Sequence, residues 1–464
     1  MPVSDARETI AAISTPLGEG AIGIVRVSGN RAFDIASQIF RDLSGQRKRD
    51  LKPWGVRYGS IVDPETGEHI DEALAIAMPA PYSFTREDVV EFSCHGGVSV
   101  LMKVLELVIR LGARLAEPGE FTKRAFLAGR IDLSQAEAVI DIIRAKTDSA
   151  RRLALANLRG DLSSRVNRIR DNVLTLIAHI EASIDFPDEA VDAMDVEDMV
   201  ERAEEAVAAL KELADAGMSS RVYRDGVSVV FVGRPNVGKS SLFNALVGKA
   251  RAIVTDIPGT TRDVIDDWIS IKGVPLRLVD TAGMRETGNL IEQLGVEAAN
   301  RQAEEADLVI AVIDGSRPVC DEELDMLTQV ADKSGVVAIN KCDLECFVNE
   351  ESLMPYAGDK KILRMSAKTG EGLRELEEAL AGLAVERITG TSESPVMANL
   401  RQLEAVQNAM HSMKEAKDAL GRGVLPDLVA IDIHEALFWL DQITGRSASE
   451  DLMDKIFSEF CIGK

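Results

Sequence analysis

Residues 227–240 read VSVVFVGRPNVGKS, an apolar run leading into Gly233, Gly238, Lys239 and Ser240 at the spacing G-x-x-x-x-G-K-[ST]. That spacing suits a triphosphate. Glycine tolerates backbone angles that a side chain forbids, so a glycine-bounded loop can turn successive N–H groups onto phosphate oxygens. Lys239 then reaches the outer phosphates and Ser240 offers its hydroxyl to Mg²⁺, while Asn236, Val237 and Ser241 complete the loop wall. The next stretch, SLFNALVG, is apolar at helical spacing, so the loop is predicted to open onto a helix N-terminus, whose dipole also favours anions.

Four further strings follow in the order that guanine-nucleotide chemistry needs. Asp280, Thr281, Ala282 and Gly283 close the strand run LRLVD, setting a carboxylate beside the Mg²⁺ shell and a glycine N–H near the γ-phosphate. Asn340, Lys341, Cys342 and Asp343 end the run VVAIN. The Asp343 carboxylate can accept from the ring N–H and the exocyclic amine of guanine, whereas adenine has no such amine; the base is predicted to be guanine. Ser366, Ala367 and Lys368 follow ILRM and can present a backbone N–H to the guanine carbonyl. Between the phosphate loop and Asp280 lies Asp256, Ile257, Pro258, Gly259, Thr260, Thr261, Arg262 and Asp263, a polar segment suited to a switch, with Thr261 as second hydroxyl on Mg²⁺. Each string alone fits an ordinary turn. Their common order argues against that.

A missing residue is equally informative. Met284 follows Gly283, where Ras-like enzymes carry the glutamine that orients the attacking water. Hydrolysis then needs another group: an arginine from a partner, a metal ion, or a carboxylate such as Glu286, Glu292 or Glu297. Asn236 either ligates a cation or braces the switch through local hydrogen bonds.

Composition sets the limits. At 464 residues the chain exceeds one core, with a prior of roughly three domains, and its 46% hydrophobic content is that of a soluble globular protein. No apolar stretch approaches the roughly 18 residues of a membrane span and MPVSDARETI lacks signal-peptide regions, so a cytoplasmic protein is expected. Five cysteines, at 94, 320, 342, 346 and 461, show no C-x-x-C spacing, and five histidines form no zinc pattern. The formal charge of −23 argues against DNA or broad nucleic-acid binding, leaving RNA to local basic patches. Arg47-Lys48-Arg49, Lys123-Arg124 with Arg130, and Arg151-Arg152 with Arg165, Arg168 and Arg170 are the candidates, each also readable as solvated surface.

Three blocks emerge. Residues 1–118 alternate strand-like runs (AIGIVRVSG, EALAIAMP, DVVEFSC) with helical stretches, an α+β domain. Residues 119–217 are helical: Leu155, Leu158, Leu162, Val166, Ile169, Val173, Ile177, Ile180 and Ile184 recur every three or four positions and predict one helix from about 145 to 185, closed by Pro187. Residues 218–386 form the α/β nucleotide domain with a mostly parallel sheet, and 387–464 are helical again after the linker-like TGTSESP. The second helical segment is short for a core of its own, so the two are predicted to pack together, with the nucleotide domain inserted between them.

The chain resembles the tRNA uridine modification GTPase family (MnmE, also called TrmE) over essentially its whole length. The resemblance rests on GIVRVSG, SFTREDVVEFSCHGG, PGEFTKRAFLAGRIDLSQAEA, IDFPDE, GRPNVGKSSLFNAL, VTDIPGTTRD, DTAGMRE and the terminal FCIGK. It implies an N-terminal folate-binding and dimerising domain, a helical domain built from two segments, and an inserted G domain. It further implies work with an FAD-binding partner (MnmG, or GidA) that installs an aminomethyl or carboxymethylaminomethyl group on C5 of the wobble uridine of certain tRNAs. The one-carbon unit would come from a 5-formyl or 5,10-methylene tetrahydrofolate. G domains of the homodimer would pair in a potassium-dependent way, with Asn236, Thr255, Ile257 and Thr260 around K⁺, Ser240 and Thr261 on Mg²⁺, and Glu292 orienting the water; Lys239 and Thr261 complete the catalytic set. The folate site would include Arg26, Glu91, Arg130 and Lys464. A pteridine edge suits a carboxylate such as Glu91, and the anionic glutamyl tail suits Arg26 or Arg130. Without the resemblance each of these is an ordinary surface charge.

The terminal Cys461-Ile462-Gly463-Lys464 has the outline of a prenylation box, but Lys is a poor last residue and no polybasic run precedes it. Two readings of Cys461 stay open: a half-buried structural thiol and a functional one. A ribosome-assembly GTPase would share the guanine motifs but should carry an RNA-binding module, which is not visible in the sequence, and would leave the terminal CIGK unexplained; a nucleotide-gated scaffold, whose hydrolysis only times partner release, is the third class.

Overall fold

The computed structural model describes residues 8–42, 54–185, 195–250, 266–279, 306–386 and 398–464. Thr255 to Thr261, Asp280 to Gly283, Met284, Glu286, Glu292 and Glu297, with Arg47 to Arg49, Pro187 and the 389–395 linker, lie outside the described residues. The chain divides into two compact units, residues 1–140 with 440–464, and 141–439.

In the first unit, seven strands form one sheet: β1 (Ile10–Ile13), β2 (Gly20–Ser28), β3 (Phe40–Asp42), β4 (Val56–Val62), β5 (His69–Met78), β6 (Val89–Gly96) and β7 (Arg114–Leu115), in the order β3-β4-β5-β6-β2-β1-β7. All neighbours run antiparallel except β1 and β7. Alternation decides the faces. Val25, Val27, Ala73, Ala75 and Phe92 point to the side covered by α1 (Ala32–Ile39) and α2 (Val98–Arg110), whose Ile35, Ile39, Leu101 and Val104 complete that core. Beyond the sheet come α3 (Glu120–Leu127) and the start of α4 (Leu133–Arg144). Leu133, Ala136 and Ile140 of α4 pack with Phe457 and Phe460 from the C-terminal segment. Those two rings carry 440–464 into this unit, whereas the sequence pattern groups that segment with the second helical part.

The second unit opens with a correction. The stripe from Leu155 to Ile184 predicts one rod, but two helices are present, α5 (Asp148–Arg159) and α6 (Asp161–Asp185). Gly160 separates them at φ 101, a left-handed angle that ends α5 and that glycine adopts without steric cost. In α6 the apolar spacing marks a buried stripe of Leu162, Val166, Ile169, Val173, Ile177 and Ile180, whereas α5 buries Ala150, Ala154 and Asn157 and leaves Leu155 and Leu158 half-buried. Helix α7 (Val196–Asp225) follows and runs straight into the nucleotide sheet, so the sequence division at 217/218 falls inside it.

That sheet holds β8 (Val227–Val232), β9 (Asp266–Ile271), β10 (Val274–Val279), β11 (Leu308–Asp314), β12 (Gly335–Asn340) and β13 (Lys361–Arg364) in the order β13-β12-β11-β8-β10-β9. Only β9 runs antiparallel. Every residue of β11 and β12 is buried, as expected of parallel strands covered on both faces. The helices are α8 (Lys239–Ala250), α9 (Asp321–Gln329), α10 (Glu350–Ala357) and α11 (Leu373–Glu386), and Leu242, Leu246, Leu376 and Leu380 fill one face of the core. The chain then returns as α12 (Leu400–Gly421) and α13 (Pro426–Thr444); α14 (Glu450–Ser458) belongs to the first unit. Helix α12 packs antiparallel on α7, with Lys417 Nζ 3.8 Å from Glu204 and Leu403 against Gly217. The two helical segments therefore meet across the inserted nucleotide domain.

Candidate functional site

Strand β8 lies between β10 and β11, the point from which the chain winds to both sides of the sheet. Ligands of such sheets bind where strand ends diverge, beyond their C-terminal edges. The loop from Gly233 to Gly238 leaves β8 there and enters α8 at Lys239. Lys239 Nζ donates to the carbonyls of Gly233 at 2.6 Å and Arg234 at 2.9 Å, which holds the ammonium over the loop. Ser240 and Ser241 are exposed in the first turn of α8, and Val237 is buried beneath.

Asn340 is the staple of the site. Only 2% exposed, it donates from Nδ2 to Val237 O at 2.9 Å and accepts at Oδ1 from Ala367 N at 2.9 Å. One amide thus joins the phosphate loop, the end of β12 and the loop after β13. Lys341, at φ 66, extends Nζ to Asn236 O (2.8 Å) and to Asp314 Oδ2 (2.7 Å). Asp343 is exposed, and its Oδ1 accepts from Ser366 Oγ at 2.7 Å, which aims the carboxylate and leaves Oδ2 for a base. Ser366 N–H goes to Glu371 O and Ala367 N–H to Asn340, so the Lys368 N–H is the remaining donor of the three for a base carbonyl.

Asp314 was not singled out by the sequence. It ends β11 at the same sheet edge, after an unbroken apolar run, and that position is the signal that could have found it. Burial works against its charge, but bonds from Lys341 and Ser316 outweigh it and hold the carboxyl below the usual carboxylate range.

The donor set fits hard cations in part. Ser240 supplies an oxygen of the type Mg²⁺ takes, and the exposed Asn236, at φ 63, supplies an amide. The other expected ligands, Thr255, Ile257, Thr260 and Thr261, lie outside the described residues, as does Glu292.

A second constellation occurs in the first unit. Arg26 and Glu91 face each other across β2 and β6, with Nε 2.7 Å from Oε1. Arg26 Nη1 also donates to Gly463 O at 3.2 Å, and its guanidinium lies 5.5 Å from the centre of the Phe121 ring. Gly463, at φ 93, is pressed against β1, where a Cβ would come within 2.9 Å of Ser14 Cα. Arg130 stacks on Phe84 at 4.7 Å and donates to Phe84 O at 3.2 Å. Phe84 and Phe121 belong to one apolar cluster with Ile10 and Ala12. Arg26, Glu91 and the tail before Lys464 are therefore brought together, with Arg130 over the same cluster. Two guanidiniums over aromatic rings beside a carboxylate suit a flat, edge-polar, anionic ligand such as a folate. Sequence reasoning missed the two rings, which spacing cannot place beside arginines distant in the chain. The half-buried reading of Cys461 does not hold: the residue is exposed, because Gly463 rather than Cys461 is the one tucked under β1.

Comparison with known proteins gives the family. The family described as GTP-binding protein TrmE N-terminus matches residues 9–130, and that described as MnmE helical domain matches 133–461. A tRNA modification GTPase MnmE of Acetivibrio thermocellus is 47% identical over 463 residues, covering 98% of this chain and 99% of its own. One of Alkaliphilus metalliredigens is 43% identical over 457 residues, with the same coverage. The G domain of the T. maritima FeoB iron transporter is 29% identical and aligns over 34% of this chain and 98% of its own, at a TM-score of 0.27, too low to bear on the fold. With two family matches spanning both units and full-length identity well above the level at which families diverge, this chain belongs to the MnmE family of tRNA modification GTPases.

Proposed function

We propose that this GTPase of tRNA modification works with an FAD-binding partner (MnmG, or GidA). Together they place an aminomethyl or carboxymethylaminomethyl group on C5 of the wobble uridine of certain tRNAs. A tetrahydrofolate derivative, 5-formyl or 5,10-methylene, supplies the carbon. The observation that carries this reading is the presence in one chain of both a guanine-nucleotide loop system and the Arg26–Glu91 pair against which the C-terminal tail folds.

In the nucleotide site, Lys239 binds the outer phosphates, the loop N–H groups hold the chain of phosphates, and Asp343 reads the base. Mg²⁺, held by Ser240 and Thr261, supplies charge neutralisation of the transferred phosphoryl group. Asn236, Thr255, Ile257 and Thr260 would hold K⁺, which would supply positive charge beside the phosphates, and Glu292 would orient the attacking water when G domains pair. Equal hydrolysis rates in matched KCl and NaCl would refute the potassium assignment. A homodimer is supported by the sheet face opposite α1 and α2. Cross-strand rows Tyr58–Leu74–Ser93–Ile24 and Val56–Ile76–Glu91–Arg26 lie on it, with Val56 59% and Tyr58 47% exposed. Among the described residues no helix is long and apolar enough to cross a membrane, in keeping with a cytoplasmic site of action.

Nucleoside mass spectrometry on bulk tRNA tests the reading. Modified wobble uridine should vanish in cells lacking the chain, return with the intact chain and stay absent with a chain truncated before Cys461. Unaltered modification in the deletion strain refutes it.

A further inference from the structure

The loop that presents Asp343 carries two thiols at its foot, Cys342 and Cys346, both half-buried. Both pack on the apolar cluster that includes Val309, Ile339 and Val348, and they share a side-chain hydrogen bond, with the Arg364 guanidinium close to both. The chain on either side is fastened: Cys342 N–H donates to Met365 O at 3.1 Å, Phe347 N–H to Gly315 O at 2.8 Å, and the turn between is closed by Leu344 N–H to Lys341 O at 3.0 Å. Cys342 Sγ donates to Ile339 O at 3.3 Å, and Cys346 Sγ lies 3.3 Å from where a Cβ at Gly315 would stand, next to Asp314. The other three cysteines have different surroundings: Cys94 is buried in the first unit, Cys320 meets Arg234 Nη1 at 3.0 Å, and Cys461 is exposed. Two small apolar side chains would pack as well at 342 and 346; two thiols in contact can also join. Burial foremost, with Cys346 beside it, pushes the Cys342 thiol above its usual value, so Cys346 is the thiol placed to attack first. Leu344 and Glu345, between the two, are exposed, so a small reagent reaches the loop from solvent.

We propose that Cys342 and Cys346 are a modification site for low-molecular-weight disulfides, and that closing the Cys342–Cys346 bond weakens guanine-nucleotide binding. The inference rests on the reading of Asp343 as the group that recognises the base. The Cys346 thiolate attacks one sulfur of the incoming RSSR, forming a mixed disulfide and releasing RS⁻, which takes up the proton that Cys346 lost. Cys342 then attacks Cys346 Sγ and gives up its own proton, breaking the mixed bond and releasing the second RSH. The protein loses two hydrogens with their electrons, and RSSR is reduced to two RSH. An S–S bond of about 2.05 Å is far shorter than a contact between thiols. Closing it draws Cys342 Sγ off Ile339 O and tightens the loop that contains Asp343, turning that carboxylate away from the Ser366 hydroxyl that aims it.

Incubating the full chain with oxidised glutathione, then blocking free thiols and digesting with trypsin, tests the bond by mass spectrometry. Lys341 and Lys360 bound one tryptic peptide, 342–360, that holds both thiols. It should appear unblocked and lighter by two hydrogens. GTP affinity, read by displacement of a fluorescent nucleotide, should fall about tenfold in the oxidised chain and return with dithiothreitol. Cys346→Ser, close to isosteric, should bind GTP like the reduced wild type and lose sensitivity to the oxidant, whereas Cys320→Ser combined with Cys461→Ser should keep it. A peptide that retains two free thiols, or carries only glutathione adducts, overturns the site. A closed disulfide with unchanged GTP affinity overturns its control of the base, and an affinity loss that persists in Cys346→Ser arises elsewhere and makes the proposal wrong. Failure of the reduced wild type to bind GTP at all overturns the Asp343 reading, and this inference with it.

Discussion

The two constellations are built on opposite principles. Around the phosphate loop, the candidate site is made of contiguous strings whose backbone groups would do much of the binding, and a single side chain, Asn340, fastens string to string. At Arg26, each contributor is one side chain or carbonyl from a different part of the chain: Glu91 is 65 residues away and Gly463 is 437. Backbone-made sites need glycine and polar residues at fixed intervals, which leave a pattern. Side-chain sites need only the right atom in the right place, which leaves none.

This contrast can be broken by substitution. The largest effect belongs to Asp343→Asn, which replaces a double acceptor with a group that repels the guanine amine. GTP affinity should fall by about a thousandfold and xanthosine triphosphate should be gained, read by displacement of a fluorescent nucleotide. Unchanged GTP affinity would remove guanine recognition from Asp343. Next is Arg26→Ala, which strands Glu91, itself largely buried, and releases the Gly463 carbonyl. It should lower the stability of the first unit by about 2 kcal/mol and abolish folate binding, yet leave GTP affinity within about twofold. A matching loss of GTP affinity would show that the two sites are not independent.

The smallest effect concerns pH. Because Lys341 and Ser316 hold the Asp314 carboxyl below its usual value, its contribution is present above the unfolded carboxylate value near ~4 and disappears as pH falls through the folded value. Urea unfolding should show wild type more stable than Asp314→Asn by about 1 kcal/mol at neutral pH, with the gap closing toward ~pH 3. A gap that persists in acid would mean the Lys341 ion pair contributes nothing through charge.

Legibility follows the same division. The apolar runs of β8, β11 and β12, the glycines that bound the phosphate loop and the carboxylate of Asp343 could be placed from spacing, since parallel strands buried on both faces read as continuous apolar text. Asp314 could have been found by the same rule, as the polar end of such a run. The predicted rod from 145 to 185 shows where spacing misleads. Apolar spacing that continues from one helix into the next reads as a single helix, although α5 buries Ala150, Ala154 and Asn157 rather than Leu155 and Leu158. Gly160 was visible, but a glycine inside a helical pattern costs only about 1 kcal/mol and does not by itself announce a break.

By itself, then, the sequence determined the strand–loop–helix order, the identity of the base and the motifs that tie the chain to its family, because each is set by residue type within a few positions. Tertiary structure alone decided that Phe457 and Phe460 carry the last helix onto Leu133 and Ile140, and that Gly463 lies under Arg26. Those juxtapositions depend on packing between elements far apart in the chain, where burial of apolar surface is non-directional and writes no local pattern.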